Sequence, residues 1–338
     1  MDNILEVRNL SVYLNTYVGE VKAVRDISFY IKKGETLVIV GESGCGKTMT
    51  AKSILKLLPR NIANINSMSE IIFKGKNILK MSEKQLENLR GADISMIFQD
   101  PMTYLNPTMT VEEQIGESLV IHKKMGKKER KENIIEILRA VKISDPEERM
   151  KQYPHELSGG MRQRVIIAIA LAAEPQILIA DEPTTALDVT TQADIMNLIK
   201  ELQKKMNMAV ILVTHDLGIA AEVGDRIQVM YAGEIVEEGS KEDIFDNPKH
   251  PYTWALLQSV PSLDTNLKEK LYSLKGNPPD LLISLKECSF SSRCEYCMNI
   301  CKKAKPAKIE ISDTHSSSCW LQHPMAPKVE MPVRIRRK

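Results

Sequence analysis

Gly41-Glu42-Ser43-Gly44-Cys45-Gly46-Lys47-Thr48 follows the apolar run Leu37-Val38-Ile39-Val40 and precedes Met49 to Leu58, which reads as a helix. Strand, glycine-rich loop and helix at G-x-x-x-x-G-K-[ST] spacing form a phosphate-cradling P-loop. The glycines let the backbone curl so that its N–H groups face an anion, and the helix adds the positive end of its dipole. Lys47 can reach the β- and γ-phosphates, and the Thr48 hydroxyl can ligate Mg²⁺. The expected nucleotide contacts are therefore Gly41, Ser43, Gly44, Cys45, Gly46, Lys47, Thr48 and Met49, with Lys47 also serving catalysis. Cys45 reads as a small filler of the loop.

Composition bounds what can surround this loop. A chain of 338 residues suggests one large domain plus an appendage. With 43% apolar and 27% charged residues it can bury a sizeable core. Lys+Arg 46 against Asp+Glu 44 gives a net charge of +2, so no nucleic acid partner is expected. The basic tip Arg334 to Lys338 reads as a solvated tail. The longest uncharged apolar stretch, Val165 to Ala173, sits between Arg164 and Glu174 and fits a buried helix rather than a membrane span. Met1-Asp2-Asn3 lacks the basic patch and apolar core of a signal peptide, so a cytosolic chain able to dock on a membrane protein is expected. Five of the six cysteines lie between Cys288 and Cys319, which in a reducing compartment points to metal rather than disulfides.

Before the P-loop, Ile4 to Val12 alternates like a half-buried strand, Val21 to Ile31 reads as another, and Lys33-Gly34-Glu35 as the turn into the P-loop strand. Tyr13 to Gly19 reads as a loop between them. An aromatic ring there can stack on adenine, Tyr17 being the first choice and Tyr13 the second; a tyrosine covering a sheet edge is the alternative.

Three further strand ends carry polar residues. Ile177-Leu178-Ile179-Ala180-Asp181-Glu182 is a short apolar run closed by two carboxylates, the pattern of a buried parallel strand. Asp181 would hold Mg²⁺ and Glu182 would polarise the attacking water as general base. Val210 to Asp216 repeats the design, placing His215 where it can contact the γ-phosphate and that water. Gln99 ends the run Ile94 to Phe98, where its amide oxygen can reach the metal.

Leu157-Ser158-Gly159-Gly160-Met161-Arg162-Gln163-Arg164 precedes an apolar helical run and reads as a second phosphate-binding helix start. A second such element in one chain suits a nucleotide held by another subunit. With the P-loop, Gln99, Asp181-Glu182, Thr185-Ala186-Leu187-Asp188 and His215 in this order, residues 4 to 240 closely resemble the ATP-binding cassette (ABC) ATPases. The resemblance implies an α/β P-loop fold with a RecA-like core, an antiparallel β subdomain and a helical subdomain at about residues 100–165, all within residues 1–245. It also implies that two such domains close head-to-tail, each ATP lying between one P-loop and the Ser158-Gly159-Gly160 segment of the other, with Asp188 among the nucleotide contacts. Transmembrane partners would couple to the stretch after Gln99. The run Lys123 to Lys128 reads as a solvated turn between helices rather than a basic binding patch.

After Gly239 the cassette pattern ends, and Lys241 to Phe245 reads as a closing helix. Asn247 to Leu257 and Gly276 to Leu281 follow, with Tyr252 to Val260 as one packed helix. Residues 246–338 form an extension with a cysteine cluster at 288–319. It looks like the tail of dipeptide and oligopeptide importer ATP-binding subunits; some nickel and glycoside importers share it. Five thiols in a short, polar, loop-rich segment suggest a soft metal, either an iron–sulfur cluster or tetrahedral zinc, and a metal-stapled fold. The resemblance matches Cys288, Cys294, Cys301 and Cys319, preceded by Arg293, and favours a [4Fe–4S] cluster. Cys297 departs from that pattern and is an alternative ligand. His315 and His323 lie near enough to ligate but read as solvated.

The reading that results is the ATP-hydrolysing subunit of a peptide importer, peripheral on the cytoplasmic face of the membrane. Its implied partners are a second ATPase subunit, identical or paralogous, two transmembrane permease subunits and, indirectly, an extracytoplasmic substrate-binding protein. The alternatives are an importer ATPase for nickel or glycosides, a soluble cassette ATPase acting on nucleic acid or ribosomes, and a metal-sensing regulator.

Overall fold

The computed structural model describes residues 3–99, 104–185, 187–259, 273–283 and 285–332. In chain order its strands are β1 (Asn3–Thr16), β2 (Gly19–Lys32), β3 (Thr36–Val40), β4 (Ala63–Ile65), β5 (Glu70–Phe73), β6 (Lys76–Asn77), β7 (Ile94–Ile97), β8 (Ile177–Asp181), β9 (Ala209–Thr214), β10 (Arg226–Tyr231), β11 (Glu234–Ser240), β12 (Ile309–Glu310) and β13 (Ser316–Ser317). The helices are α1 (Lys47–Ile54), α2 (Glu83–Leu89), α3 (Val111–Ser118), α4 (Lys127–Ala140), α5 (Pro146–Arg149), α6 (Gly159–Leu171), α7 (Val189–Met206), α8 (Leu217–Val223), α9 (Lys241–Asp246) and α10 (Pro251–Ser259). They fall into two compact units: Met1–Ile4, Ile31–Thr36 and Asn77–Val213 in one, and Leu5–Tyr30, Leu37–Lys76 and Thr214–Lys338 in the other.

In the first unit β7, β8 and β9 run parallel, with Ile94 opposite Ile177 and Ile177 opposite Ala209. Every residue of β8 and β9 is buried, which is why both read as unbroken apolar runs rather than alternating ones. α6 buries Val165, Ile166, Ile167, Ala168, Ala170 and Leu171 and packs on β7 and α7. α7 is amphipathic: Ile195, Leu198, Ile199 and Leu202 recur at helical spacing and are buried. α3 starts at a capping box, in which the Thr110 N–H donates to Glu113 Oε2 at 2.7 Å and the Glu113 N–H to Thr110 Oγ1 at 3.3 Å. Helices α3 to α5 fill the region expected to be helical, and Lys124 to Gly126 form the expected turn.

In the second unit an antiparallel sheet has the order β2-β1-β5-β6, with β4 also on β1. Separately, β3 pairs parallel with β10 from Leu37–Arg226 to Val40–Val229. β11 continues antiparallel from β10, and the short β13 and β12 of the extension add to β11.

Two boundaries differ from the sequence reading. β1 extends to Thr16, so Tyr13 lies in a strand opposite Asn64 and not in a loop. Its partner β4 (Ala-Asn-Ile) is short, has the polar Asn64 at its centre and is followed by Asn66, so it gives no strand signal in the sequence. α1 stops at Ile54, four residues before Leu58, because Lys56 turns left-handed at φ 55° and Leu58 precedes Pro59, where a helix is disfavoured. Val260, Asp100, Pro101, Ala186 and the tip Arg334 to Lys338 lie outside the described residues. Among the described residues no helix is long and apolar enough to cross a membrane.

Candidate functional site

The P-loop lies in the second unit, between β3 and α1. Gly46 has φ 105°, and a Cβ there would stand 2.4 Å from the Ala23 carbonyl oxygen. A Cβ on Gly41 would stand 2.1 Å from the Met230 carbonyl oxygen. Both positions exclude any side chain, and the backbone curls close to its neighbours as a consequence. Lys47 is 4% exposed, and its Nζ donates to the carbonyls of Gly41 at 2.8 Å and Glu42 at 2.9 Å. A buried ammonium needs such acceptors, and these two draw the loop closed around it. Burial pushes the Cys45 thiol up despite the pull of Lys47, which fits an inert filler. Ser43 and Gly44 are exposed; Thr48 and Met49 are half-buried in the first turn of α1. Glu42 is gripped from the extension: the Arg293 guanidinium lies 2.6 and 3.0 Å from its two oxygens, and its N–H donates to the Tyr252 hydroxyl at 2.9 Å.

Tyr17 is wholly exposed at the tip between β1 and β2, where the Thr16 hydroxyl donates to the Gly19 carbonyl at 2.8 Å. His215, also exposed, sits just past β9. Next to it the Asp216 N–H donates to Thr214 Oγ1 at 3.0 Å, and Asp216 Oδ1 accepts from Gly218 N at 2.7 Å to cap α8. Strand end and helix start thus fix the backbone around His215.

In the first unit Asp181 (1% exposed) ends β8 and Glu182 (9%) follows it. Glu182 has φ 48°, a left-handed conformation that costs a non-glycine residue about 1–2 kcal/mol. Gln99 Nε2 donates to Glu182 Oε2 at 3.0 Å, and the Thr185 hydroxyl donates to the same oxygen at 3.1 Å. The fold therefore joins Gln99 and Glu182, residues that the sequence reading assigned separately. Ser158 caps α6 by accepting from Met161 N at 3.3 Å, with Ser158 and Gly159 exposed. Gly160 packs so closely on α7 that a Cβ would meet Thr191 Cγ2 at 2.9 Å. Asp188, exposed, caps α7 through Thr191 N (3.0 Å) and Thr191 Oγ1 (2.7 Å). Those hydrogen bonds hold its carboxyl below the usual range. Asp188 thus fixes the helix on which Gly160 rests.

The extension contains the free thiols Cys288, Cys294, Cys297, Cys301 and Cys319. Cys288, Cys301 and Cys319 are buried, and the Cys288 N–H donates to the Cys301 carbonyl at 2.9 Å. Burial pushes Cys288 up to about 11, with Cys301 and Cys297 adding to it. Burial likewise pushes Cys319 up to about 12, and the nearby Cys288, Cys294 and Cys301 add to it. The Cys297 thiol points to the Met298 carbonyl, 3.6 Å away. Among the described residues no three His, Cys, Asp or Glu side chains are gathered to hold a metal ion.

His315 departs from the solvated state expected of it. It is 2% exposed, with Nε2 2.8 Å from Glu237 Oε1 and Nδ1 3.8 Å from Asp243 Oδ1. Glu237, buried on β11, requires such a partner. His323 is exposed, as expected. The extension also holds a ring cluster that the sequence reading passed over. Phe290 lies 5.2 Å edge-on from Tyr231, 5.4 Å from Tyr252 and 5.8 Å from His250. One phenylalanine in a polar segment gives no periodic signal, and only the aromatic residues of β10 and α10 reveal its purpose.

Comparison with known proteins agrees with this geometry. The family described as "ABC transporter" matches residues 24–185, and the "Oligopeptide/dipeptide transporter, C-terminal region" matches residues 236–301. The chain is 52% identical to the oligopeptide transport ATP-binding protein OppD of Bacillus subtilis (strain 168), covering 99% of this chain and 93% of that protein. It is 54% identical to the dipeptide transport ATP-binding protein DppD of the same organism, covering 95% and 96%. Among solved structures, the dimeric bacterial ABC transporter cassette MJ0796 is 29% identical at a TM-score of 0.62, covering 70% of this chain and 98% of that one. The chain belongs to the ABC ATPases, in the family of oligopeptide and dipeptide transport ATP-binding proteins.

Proposed function

We propose that this chain binds and hydrolyses ATP to power the import of dipeptides or oligopeptides, from the cytoplasmic face of the membrane. The observation that carries the reading is the P-loop drawn shut on Lys47, in a chain that matches peptide-transport ATP-binding proteins over nearly its whole length. Its partners are a second ATPase subunit, two permease subunits and, indirectly, an extracytoplasmic substrate-binding protein. Residues 1–245 are the ATPase domain and 246–338 the extension.

The backbone of Gly41 to Thr48 and the start of α1, with Met49, receive the phosphates, while Tyr17 stacks on adenine. Thr48, Gln99 and Asp181 are oxygen donors of the kind Mg²⁺ prefers and would hold the ion, which would supply neutralisation of phosphate charge. Glu182 takes the proton of the attacking water and His215 steadies the γ-phosphate. Ser158, Gly159 and Gly160 close over the ATP of a second subunit in a head-to-tail dimer, with Asp188 at the same interface. The exposure of Ser158 and Gly159 at a capped helix start supports that role.

Cys288, Cys294, Cys301 and Cys319 form an all-thiol donor set that suits a [4Fe–4S] cluster, with zinc as the alternative metal and Cys297 as the alternative ligand. Such a group would staple the extension. Protein purified without oxygen should then carry about four iron and four sulfide per chain. One zinc without colour would replace the cluster, and no metal would remove it.

Transport is tested in vesicles containing this chain, its permease partners and the binding protein. ATP-dependent uptake of labelled peptide is the expected result. Uptake of nickel or a glycoside instead, or purification with RNA and without membrane subunits, would overturn the reading.

A further inference from the structure

Glu42 is a carboxylate in a loop that binds a highly charged anion, an arrangement that works against binding unless the charge is answered. The answering group comes from 251 positions downstream. Arg293 Nη1 and Nη2 lie 2.6 and 3.0 Å from Glu42 Oε2 and Oε1, a forked pairing that matches the planar carboxylate. The Arg293 side chain is 4% exposed. Its Nε donates to the Lys275 carbonyl at 3.1 Å, and its guanidinium lies 5.8 Å from the centre of the Tyr231 ring. The guanidinium is thus held in one orientation from several sides. Lys47 Nζ is bound to the Glu42 carbonyl at 2.9 Å, so any shift of Glu42 is felt at the phosphate-binding lysine.

We propose that Arg293 is a positioning residue for ATP binding: its pairing with Glu42 cancels the negative charge that the Glu42 side chain brings to the P-loop. ATP affinity is thereby placed under the control of the C-terminal extension. The proposal rests on the P-loop being the ATP site. Without Arg293, the Glu42 carboxylate repels the triphosphate and competes with it for Lys47.

The test is ATP titration of the purified full-length chain by calorimetry, for Arg293→Gln, Glu42→Gln, the double variant and Lys47→Ala. Arg293→Gln should bind ATP about tenfold more weakly, and raised salt should narrow the gap because the lost term is a charge repulsion. Glu42→Gln should bind at least as well as the wild type. The double variant should return to within about twofold of the wild type, since removing both charges removes the conflict. Arg293→Lys should be intermediate, keeping the charge but losing the fork. A double variant as weak as Arg293→Gln would overturn the proposal, and so would a loss in Glu42→Gln alone. Should Arg293→Gln fail to fold, Glu42→Gln and the double variant still decide. Lys47→Ala separates the two levels. If it loses ATP while Arg293→Gln does not, only this inference fails; if it binds ATP normally, the P-loop assignment itself fails.

Discussion

Replacing Phe290 by alanine tests how the extension is held to the body of the protein. The ring is 2% exposed and packed among Tyr231, Tyr252 and His250. Truncating a buried phenylalanine to alanine costs about 3–5 kcal/mol, to which the edge-on contact with Tyr231 contributes about 0.5–1.5 kcal/mol. The ring joins a short, loop-rich segment to β10 and α10, so the loss should fall on local opening rather than spread through the fold. An opening constant raised by about two to four powers of ten follows from that energy. The assay is hydrogen exchange at amides that the packed segment protects: Cys288 bonded to Cys301, Ser291 bonded to Cys288, and Ser318 bonded to Val236. ATP affinity should fall in parallel, because Tyr252 and Arg293 both hold Glu42. Unchanged protection at those amides would refute the assignment of Phe290 as the anchor and leave the cysteines as the holding element.

Gly46→Ala should cost about 1–3 kcal/mol of stability and weaken ATP binding at least about tenfold. The new Cβ meets the Ala23 carbonyl in a left-handed conformation, and normal binding would refute the close approach. His250 gives a pH prediction. Complete burial lowers it from 6.5 to about 3, and its Nδ1 accepts from Tyr252 N at 3.0 Å, which requires the neutral ring. Between those pH values the unfolded chain binds the extra proton. Stability is therefore full above about pH 6.5 and falls by about 1.4 kcal/mol per unit as pH drops toward 3. His250→Asn keeps an acceptor for Tyr252 N and should flatten that slope in acid denaturation curves; an unchanged slope would exclude His250 as its source.

The sequence was most legible where chemistry and periodicity coincide. The P-loop had to be glycine-rich between an apolar strand and a helix, and the contacts at Gly41 and Gly46 give the reason. The runs before Asp181 and His215 read correctly as buried parallel strands because β8 and β9 are covered on both faces. What escaped were relations between distant residues. Gln99 and Glu182 share a hydrogen bond, and Glu42 and Arg293 form an ion pair, across 83 and 251 positions that no local pattern spans. The sequence pattern points Asp188 to the nucleotide, and its role in capping α7 through Thr191 shows only in the fold. The burial of His315 is not legible because its partner Glu237 is a buried acid on β11, a strand covered by the short β13 of the extension, which gives no strand signal of its own.

The central claim is that this chain hydrolyses ATP with Glu182 as the base. Single-turnover hydrolysis by the wild type and by Glu182→Gln, with ATP binding measured on both, tests it most directly. Glutamine keeps an oxygen to accept from Gln99 and Thr185, so the fold and ATP binding should persist while hydrolysis slows at least about a hundredfold. Near-normal turnover in Glu182→Gln would contradict the account.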